Sequence, residues 1–481
     1  MIPLWVWTSL TIASEVCALA VIVVLLRRPR EPRAMLAWIL ILLLVPVLGL
    51  ILFATLSEPR RKWHRVRRHR SRRRLQAFMV NRSERLAMEH TYDADDAKRT
   101  LRPLVKLTER LGAYPPTHGN QTVIYQDAEF TFAAIRDAIA SARSHVHLEY
   151  YIFQPDETGA VIRDLLIAKA REGVECRLLL DFLGCWRLSN RFLAPLKEAG
   201  GQVAWSLPMV PLRGRWRVNF RNHRKVAVID GRVGFTGSQN IGDEYRGRLA
   251  RFSPWRDTHL KIEGPAVIHL QEVFAHDWFY TTHEDLAGEK YFKEPQLTGD
   301  HVVQIVPSGP DQREHVLHQL LLAAVHSARS SICVITPYFV PDSAMILAFQ
   351  SAAYRGVRVR LLIPANTDHR VVLWAGRSYY HELCAAGVEI HEHDGVLLHS
   401  KVMVIDEDWA MVGSANTDER SFRLNFELTT ILYSRALTEE LYQDFESLVA
   451  HSRRVEPADP ATLPFGQSLR LGLARLASPL L

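Results

Sequence analysis

The 481-residue chain has little cysteine, and none of it is paired in sequence. Cys17, Cys176, Cys185, Cys333 and Cys384 contain no C-x-x-C and no zinc-type spacing. That excludes a disulfide framework and a structural zinc site, and an odd, scattered set of thiols suits a reducing compartment. The first 26 residues contain no Lys or Arg. A secretory signal peptide needs a basic start and a small-residue cleavage site, which argues against that reading. Clustered carboxylates of the kind that hold Mg²⁺ are also missing. No short repeat of 20–50 residues recurs, which excludes a solenoid.

Long apolar runs, by contrast, are present, but only near the N-terminus. Residues 2–26 carry one acid, Glu15, and residues 34–56 carry no charge. Each is long enough to cross a bilayer as a helix, so a two-helix transmembrane hairpin is predicted over residues 1–56. Basic charge concentrates beside it. Residues 27–74 hold fourteen Lys and Arg against two Glu, whereas the whole chain is only +7, so the body is net acidic. Such a basic margin is drawn to anionic lipid headgroups, about 1 kcal/mol per residue near the surface. An acidic body argues against nucleic acid as partner. The larger basic cluster follows the second run, which places the body in the cytoplasm of a multi-pass membrane protein; the four arginines between the runs oppose this.

Residues 57–121 read as a basic juxtamembrane segment and connector, ending in the turn-rich YPPTHGN. The chain then repeats itself. Strand, helix, strand, helix, strand over residues 122–300 returns over residues 301–450. SARSHV answers SARSSI, and GVECRLLL answers GVRVRLLI. This is an α/β fold built from two duplicated halves that form one body. A C-terminal tail, residues 451–481, carries Leu469, Leu473, Leu476 and Leu480 at helical spacing, with Arg470 and Arg475 off that stripe. It predicts a basic amphipathic helix that either lies on a bilayer or packs on the body.

Chemistry is concentrated in a duplicated motif. HRKVAVIDGRVGFTGSQN (His223–Asn240) and HSKVMVIDEDWAMVGSAN (His399–Asn416) share H-x-K-x4-D and, six residues on, G-S-x-N. Residues i and i+2 of a strand share a face, so His223 pairs with Lys225 and His399 with Lys401, while Arg224 and Ser400 point away. Asp230 and Asp406 close the strands at turns. Ser238, Asn240, Ser414 and Asn416 return on the next strand toward the His and Lys, as candidate substrate-binding residues. Facing each other, two such units offer one imidazole to attack phosphorus and one to protonate the leaving oxygen, with amines and amides to hold the phosphate. Asp257 and Glu427, each downstream of a motif, are the candidates to hold the other imidazole nitrogen.

Paired H-x-K-x4-D motifs resemble the phospholipase D superfamily, and within it the chain is similar to bacterial cardiolipin synthases. The likeness runs from PRAMLAWILILLLVPVLGL through YYIFQPDETG, FRNHRKVAVIDGRVGFTGSQNIGDEY, WRDTHLKIEGPAV and TPYFVPD to HSKVMVID and GSANTDERSFRLNFE. It implies a phospholipase D-type pseudo-twofold body on the bacterial inner membrane. It also implies a cofactor-free, metal-free transfer of a phosphatidyl group between two phosphatidylglycerol molecules, giving cardiolipin and glycerol through a phosphohistidine. Family precedent makes His223 the nucleophile and His399 the acid, then base. Lys225, Lys401, Asn240 and Asn416 would hold phosphate, and Asp230 and Asp406 complete the motif as supports. The first motif has G-S-Q-N where relatives often have G-G-x-N, a one-hydroxyl change. Hydrolysis by the same site, a nuclease or phosphodiesterase, and a non-catalytic scaffold are the rivals; the intact His, Lys and Asp positions argue against the last.

Overall fold

The structure, a computed structural model, describes residues 4–27, 32–56, 101–208, 219–248, 254–312, 314–367, 369–456, 459 and 462–478. The basic run over residues 57–74 and most of the arginine-rich PLRGRWRVNFRNH segment lie outside these. The chain divides into two compact units, Met1–His64 with Met209–Asn219, and Arg65–Pro208 with Phe220–Leu481.

In the first unit, the first apolar run forms one helix, Leu4–Leu26. The second run departs from the expected single span. It forms two helices, Pro32–Leu44 and Pro46–Leu56, of 13 and 11 residues. The break has a local cause. Pro46 has no N–H to return to the turn before it, and its ring crowds the preceding carbonyl. Gly49 tolerates the closeness, since a Cβ there would sit 2.9 Å from the Ile41 carbonyl oxygen. Ala18, Ile22, Leu25 and Leu42 pack together, and Trp38 meets Phe53 edge-on at 5.3 Å. Among the described residues, no helix is long and apolar enough to cross a membrane.

The second unit holds both repeats on one 16-stranded sheet. From one edge the first half contributes Gln202–Ser206, Glu175–Asp181, His145–Tyr150, Val226–Ile229, Val233–Gly237, His259–Glu263 and Thr117–Tyr125. The second half continues with His301–Ser308, Asn425–Leu432, Trp409–Gly413, Val402–Ile405, Ser331–Ile335, Arg358–Pro364 and Glu389–His393. The second order is the first one reversed, as a pseudo-twofold axis between Thr117–Tyr125 and His301–Ser308 requires. Three strands in each half run parallel through helical crossovers, and the strands nearer the axis are antiparallel. Crossover helices start at side-chain caps: Asp156 accepts from Gly159 N–H at 3.0 Å, and Asp342 accepts from Met345 N–H at 3.0 Å.

The halves share a core. Val226, Val228 and Leu260 of the first pack with Val402, Val412 and Leu428 of the second. Fully burying such a side chain is worth roughly 1.5–3 kcal/mol, so the axis is a cohesive seam. The end of the predicted connector also belongs to this body. Leu101 and Leu104, beside and within the helix Arg102–Arg110, are buried in the second-half core, and the first strand begins at Thr117.

Candidate active site

Each motif strand enters the sheet beside the C-terminal end of a parallel strand. Val226 pairs with Glu149, and Val402 with Ile335. The residues just before them, His223 to Lys225 and His399 to Lys401, therefore stand at one edge of the sheet, where crossover loops leave. All six side chains are largely buried.

The orienting acids cross between the halves. Arg221–Asn222 pairs in parallel with Asn425–Phe426, and His223 N–H donates to the Phe426 carbonyl at 2.9 Å. Glu427 is thereby set beside His223, with His223 Nδ1 to Oε2 at 3.0 Å. In the same way Leu397–Leu398 pairs with Trp255–Arg256, and His399 N–H donates to the Arg256 carbonyl at 2.8 Å. Asp257 then meets His399, Oδ1 to Nδ1 at 2.7 Å. Each imidazole is held by the carboxylate of the other half, so neither half makes a complete site by itself.

The carboxylates are themselves held. Glu427 accepts from Ser414 Oγ–H at 2.5 Å, Ser421 Oγ–H at 3.1 Å and Asn425 Nδ2–H at 3.1 Å. Asp257 accepts from the Trp255 indole N–H at 2.8 Å. Burial opposes their ionisation, but the adjacent histidines, lysines and hydrogen bonds outweigh it and hold both pKa values below the usual range. Burial acts the other way on the bases. It pushes His223 down to about 4, against the pull of Glu427, and lowers His399 also. Lys225, with no exposed surface, falls to about 7, chiefly through burial. Both lysine ammonium groups fold back on the chain, Lys225 Nζ–H to the His223 carbonyl and Lys401 Nζ–H to the His399 carbonyl, each at 2.6 Å. His223 feels the charge of Lys401, and His399 that of Lys225, so the motifs share one electrostatic field.

Other predicted site residues fall elsewhere. Asp230 and Asp406, grouped with the catalytic residues from the motif, lie at the far ends of their strands. Seven residues at about 3.3 Å each put them roughly 20 Å from the imidazoles. Asp230 accepts from the backbone N–H groups of Arg143, Ser144 and His145 at 2.7–2.9 Å. Asp406 does the same for Arg329, Ser330 and Ser331. Both sit at positive φ, 55° and 53°, in the tight turns of the hairpins. They fasten the start of the neighbouring strand and touch no reacting group. Ser238 and Ser414, read as substrate-binding, are committed to the protein. Ser238 Oγ–H donates to the Thr258 carbonyl at 3.0 Å, and Ser414 holds Glu427. Asn240 accepts from Ile152 N–H at 3.2 Å, while Asn416 Oδ1 is buried without a partner.

Three residues with weak sequence signals complete the site. Tyr151 lies against His223, ring centres 4.7 Å apart, and Trp255 lies against His399 at 5.2 Å. Arg224 turns away from the imidazole as the strand pleat requires and is wholly buried. It pairs with Asp277 and donates to the carbonyls of Glu427 at 3.1 Å and Ser308 at 2.9 Å. That guanidinium fixes the backbone of the residue that orients His223. Trp255, two residues before Asp257 in SPWRD, was legible as a neighbour; Arg224 offered no signal beyond its alternation.

Two imidazoles, each tied at Nδ1 by a buried carboxylate, with two amines beside them, define a phosphoryl- or phosphatidyl-transfer site of the phospholipase D type. The comparisons agree. A family described as "Cardiolipin synthase, PLD-like domain" matches residues 135–278 and 321–449, one copy per half, and "Phospholipase_D-nuclease N-terminal" matches residues 16–57. A cardiolipin synthase of Geobacillus thermodenitrificans is 40% identical over 94% of this chain and 90% of its own length. One from Alkalihalophilus pseudofirmus is 37% identical over 99% and 95%. The chain belongs to the phospholipase D-like cardiolipin synthase family. The crystal structure of a phosphatidylserine synthase from Haemophilus influenzae shares the fold, with a TM-score of 0.59 at 14% identity over 78% of this chain and 99% of that one.

Proposed function

We propose that this chain is a phosphatidyltransferase that makes cardiolipin and glycerol from two phosphatidylglycerol molecules through a phosphohistidine. The observation that carries the reading is the crossed pairing, His223 with Glu427 and His399 with Asp257. With Nδ1–H donated to a carboxylate, the reactive lone pair of a neutral imidazole is at Nε2, the tautomer a nucleophile needs. His223, kept neutral by burial, attacks phosphorus through Nε2. His399, charged by the neighbouring phosphodiester and Asp257, gives its Nε2 proton to the departing glycerol oxygen. Neutral His399 then takes the proton of the second lipid's glycerol hydroxyl as that oxygen attacks the phosphohistidine. This forms the new P–O bond and breaks P–N. Lys225, Lys401, Asn240 and Asn416 hold the non-bridging oxygens. The similarity to cardiolipin synthases and the double family match support the same reaction.

The same reading places the body at the cytoplasmic face of the inner membrane, anchored by the N-terminal apolar runs as a hairpin with the basic margin on anionic headgroups. The N-terminal family match and the exposed apolar side chains Ile12, Val16, Leu19, Val23 and Leu26 of the first helix support it. Expression in a host devoid of cardiolipin, followed by lipid mass spectrometry, tests the reaction. Cardiolipin with released glycerol is expected; phosphatidic acid alone would show water as the acceptor and refute transfer.

A further inference from the structure

The C-terminal helix Phe465–Ala477 packs on the body through Ala474 and small neighbours and leaves most of its leucines outside. Its arginines lie at the margin of the contact and stay exposed, Arg475 with 46% of its side chain open. Arg475 pairs with Glu382 at 2.8 Å and covers the Tyr379 ring at 4.5 Å, and Arg470 lies over Trp374 at 5.1 Å. Ala474 enters the second-half core, and Tyr379 Oη–H donates to Ser478 Oγ at 2.9 Å. Three of its four leucines are left outside: Leu473 is 59% exposed and Leu476 77%, with Leu469 and Phe465 also exposed. Leu480 lies outside the described residues.

Its location gives the stripe meaning. The partner helix Arg370–Arg377 follows the strand Arg358–Pro364, leaving from its C-terminal end. Leu362 there is level with Ile335, which is level with Val402, the residue after Lys401. The helix pair therefore stands at the sheet edge that holds the catalytic histidines. In the first half the matching loop follows Asp181, whose Oδ2 accepts from Asn222 N–H at 2.9 Å beside His223. That loop exposes Leu183 and Trp186, the latter at 70%, with Arg187 over the indole at 5.3 Å. Both halves thus carry exposed apolar groups with arginines on the catalytic edge, and the C-terminal helix contains two arginines and no acid.

We propose that this rim, the C-terminal leucine stripe on one side and the Leu183–Trp186 loop on the other, docks the body onto an anionic bilayer with the catalytic edge facing the lipid. The inference rests on the assigned lipid reaction. A diacyl substrate keeps its chains in the membrane, so the buried imidazoles have to be brought to the headgroup plane. Apolar groups immersed at the acyl boundary with arginines at phosphate level do that.

Spin labels test it in the full chain, reconstituted in phosphatidylglycerol–phosphatidylcholine vesicles, with Cys17 and Cys384 replaced by serine. Labels are placed by Leu473→Cys, Trp186→Cys and Tyr354→Cys. Tyr354 is 74% exposed but ends the helix that runs back to the opposite edge of the sheet. The labels at 473 and 186 are expected to be about tenfold less accessible to an aqueous nickel reagent than the one at 354, as immersion at the acyl boundary requires. Replacing Leu469, Leu473 and Leu476 by serine should lower turnover of vesicle phosphatidylglycerol about tenfold through lost interfacial binding, with turnover of monomeric short-chain phosphatidylglycerol unchanged. Cardiolipin formation with all three labels equally wet overturns the docking face. Insertion without cardiolipin formation supports the docking face and overturns the reaction.

Discussion

Replacing Glu427 by glutamine isolates the charge that crosses from one half to the other. Glu427 has no exposed surface and accepts from His223, Ser414, Ser421 and Asn425. The amide is isosteric. Its carbonyl can keep the His223 Nδ1–H bond, while its NH₂ turns toward Ser421 and Asn425. Ser421 can rotate to accept, and Asn425 can flip to present its Oδ1, which has no partner now. The fold should therefore tolerate Glu427→Gln within about 2 kcal/mol, the cost of one imperfectly paired buried group. Catalysis should not. Without the carboxylate nothing offsets positive charge developing on His223 as P–N bonding begins. Loss of such a charge in a buried triad costs up to roughly 10⁴ in rate, and about 10³, near 4 kcal/mol, is expected here. Rapid-quench measurement of glycerol release and of acid-labile, base-stable phosphoenzyme should show slow formation of the covalent species. A stability cycle fixes the partner. His223→Ala and Glu427→Gln should couple by about 1–3 kcal/mol, while His399→Ala and Glu427→Gln should add independently. Turnover within tenfold of wild type, or coupling to His399 instead of His223, would refute the crossed arrangement.

Asp230→Ala should cost about 3 kcal/mol of stability by stranding three backbone N–H groups, yet leave kcat per folded molecule near wild type; thermal melts beside active-site titration separate the two, and a large fall in kcat would return Asp230 to the chemistry. Glu407 is held at φ 56° where the first-half turn has Gly231 at 65°. Glu407→Gly should therefore stabilise by roughly 1 kcal/mol through relief of left-handed strain, read as a rise in Tm. His145 and His259 are both pushed down to about 4, mainly by burial. The unfolded chain binds their protons first, so stability should fall as pH drops below about 6.5 and level off for these groups near 4; denaturant titrations at stepped pH check it, and flat stability across that window would contradict neutral burial.

Much of the site was legible because strand pleat is a local rule. Alternation alone put His223 with Lys225 and His399 with Lys401 and turned Arg224 away, and the structure places them so. The duplication announced the two α/β halves, since repeated hydrophobic pattern means repeated elements. The motif aspartates share the motif with the histidines but were read as turn residues and supports, and a strand of extended residues does carry its two ends far apart. The proline in the second apolar run was equally readable as a breaker, yet run length suggested one span.

The sequence by itself determined the residue types of the candidate site, their faces and their twofold repetition, because these follow from local periodicity and side-chain chemistry. Only the tertiary structure decided which acid serves which imidazole. That choice lies in two strands of two residues, Arg221–Asn222 and Leu397–Leu398, each pairing with the opposite half. Pairs so short leave no signature in hydrophobic pattern, and they form only when the shared apolar core has already brought the halves together.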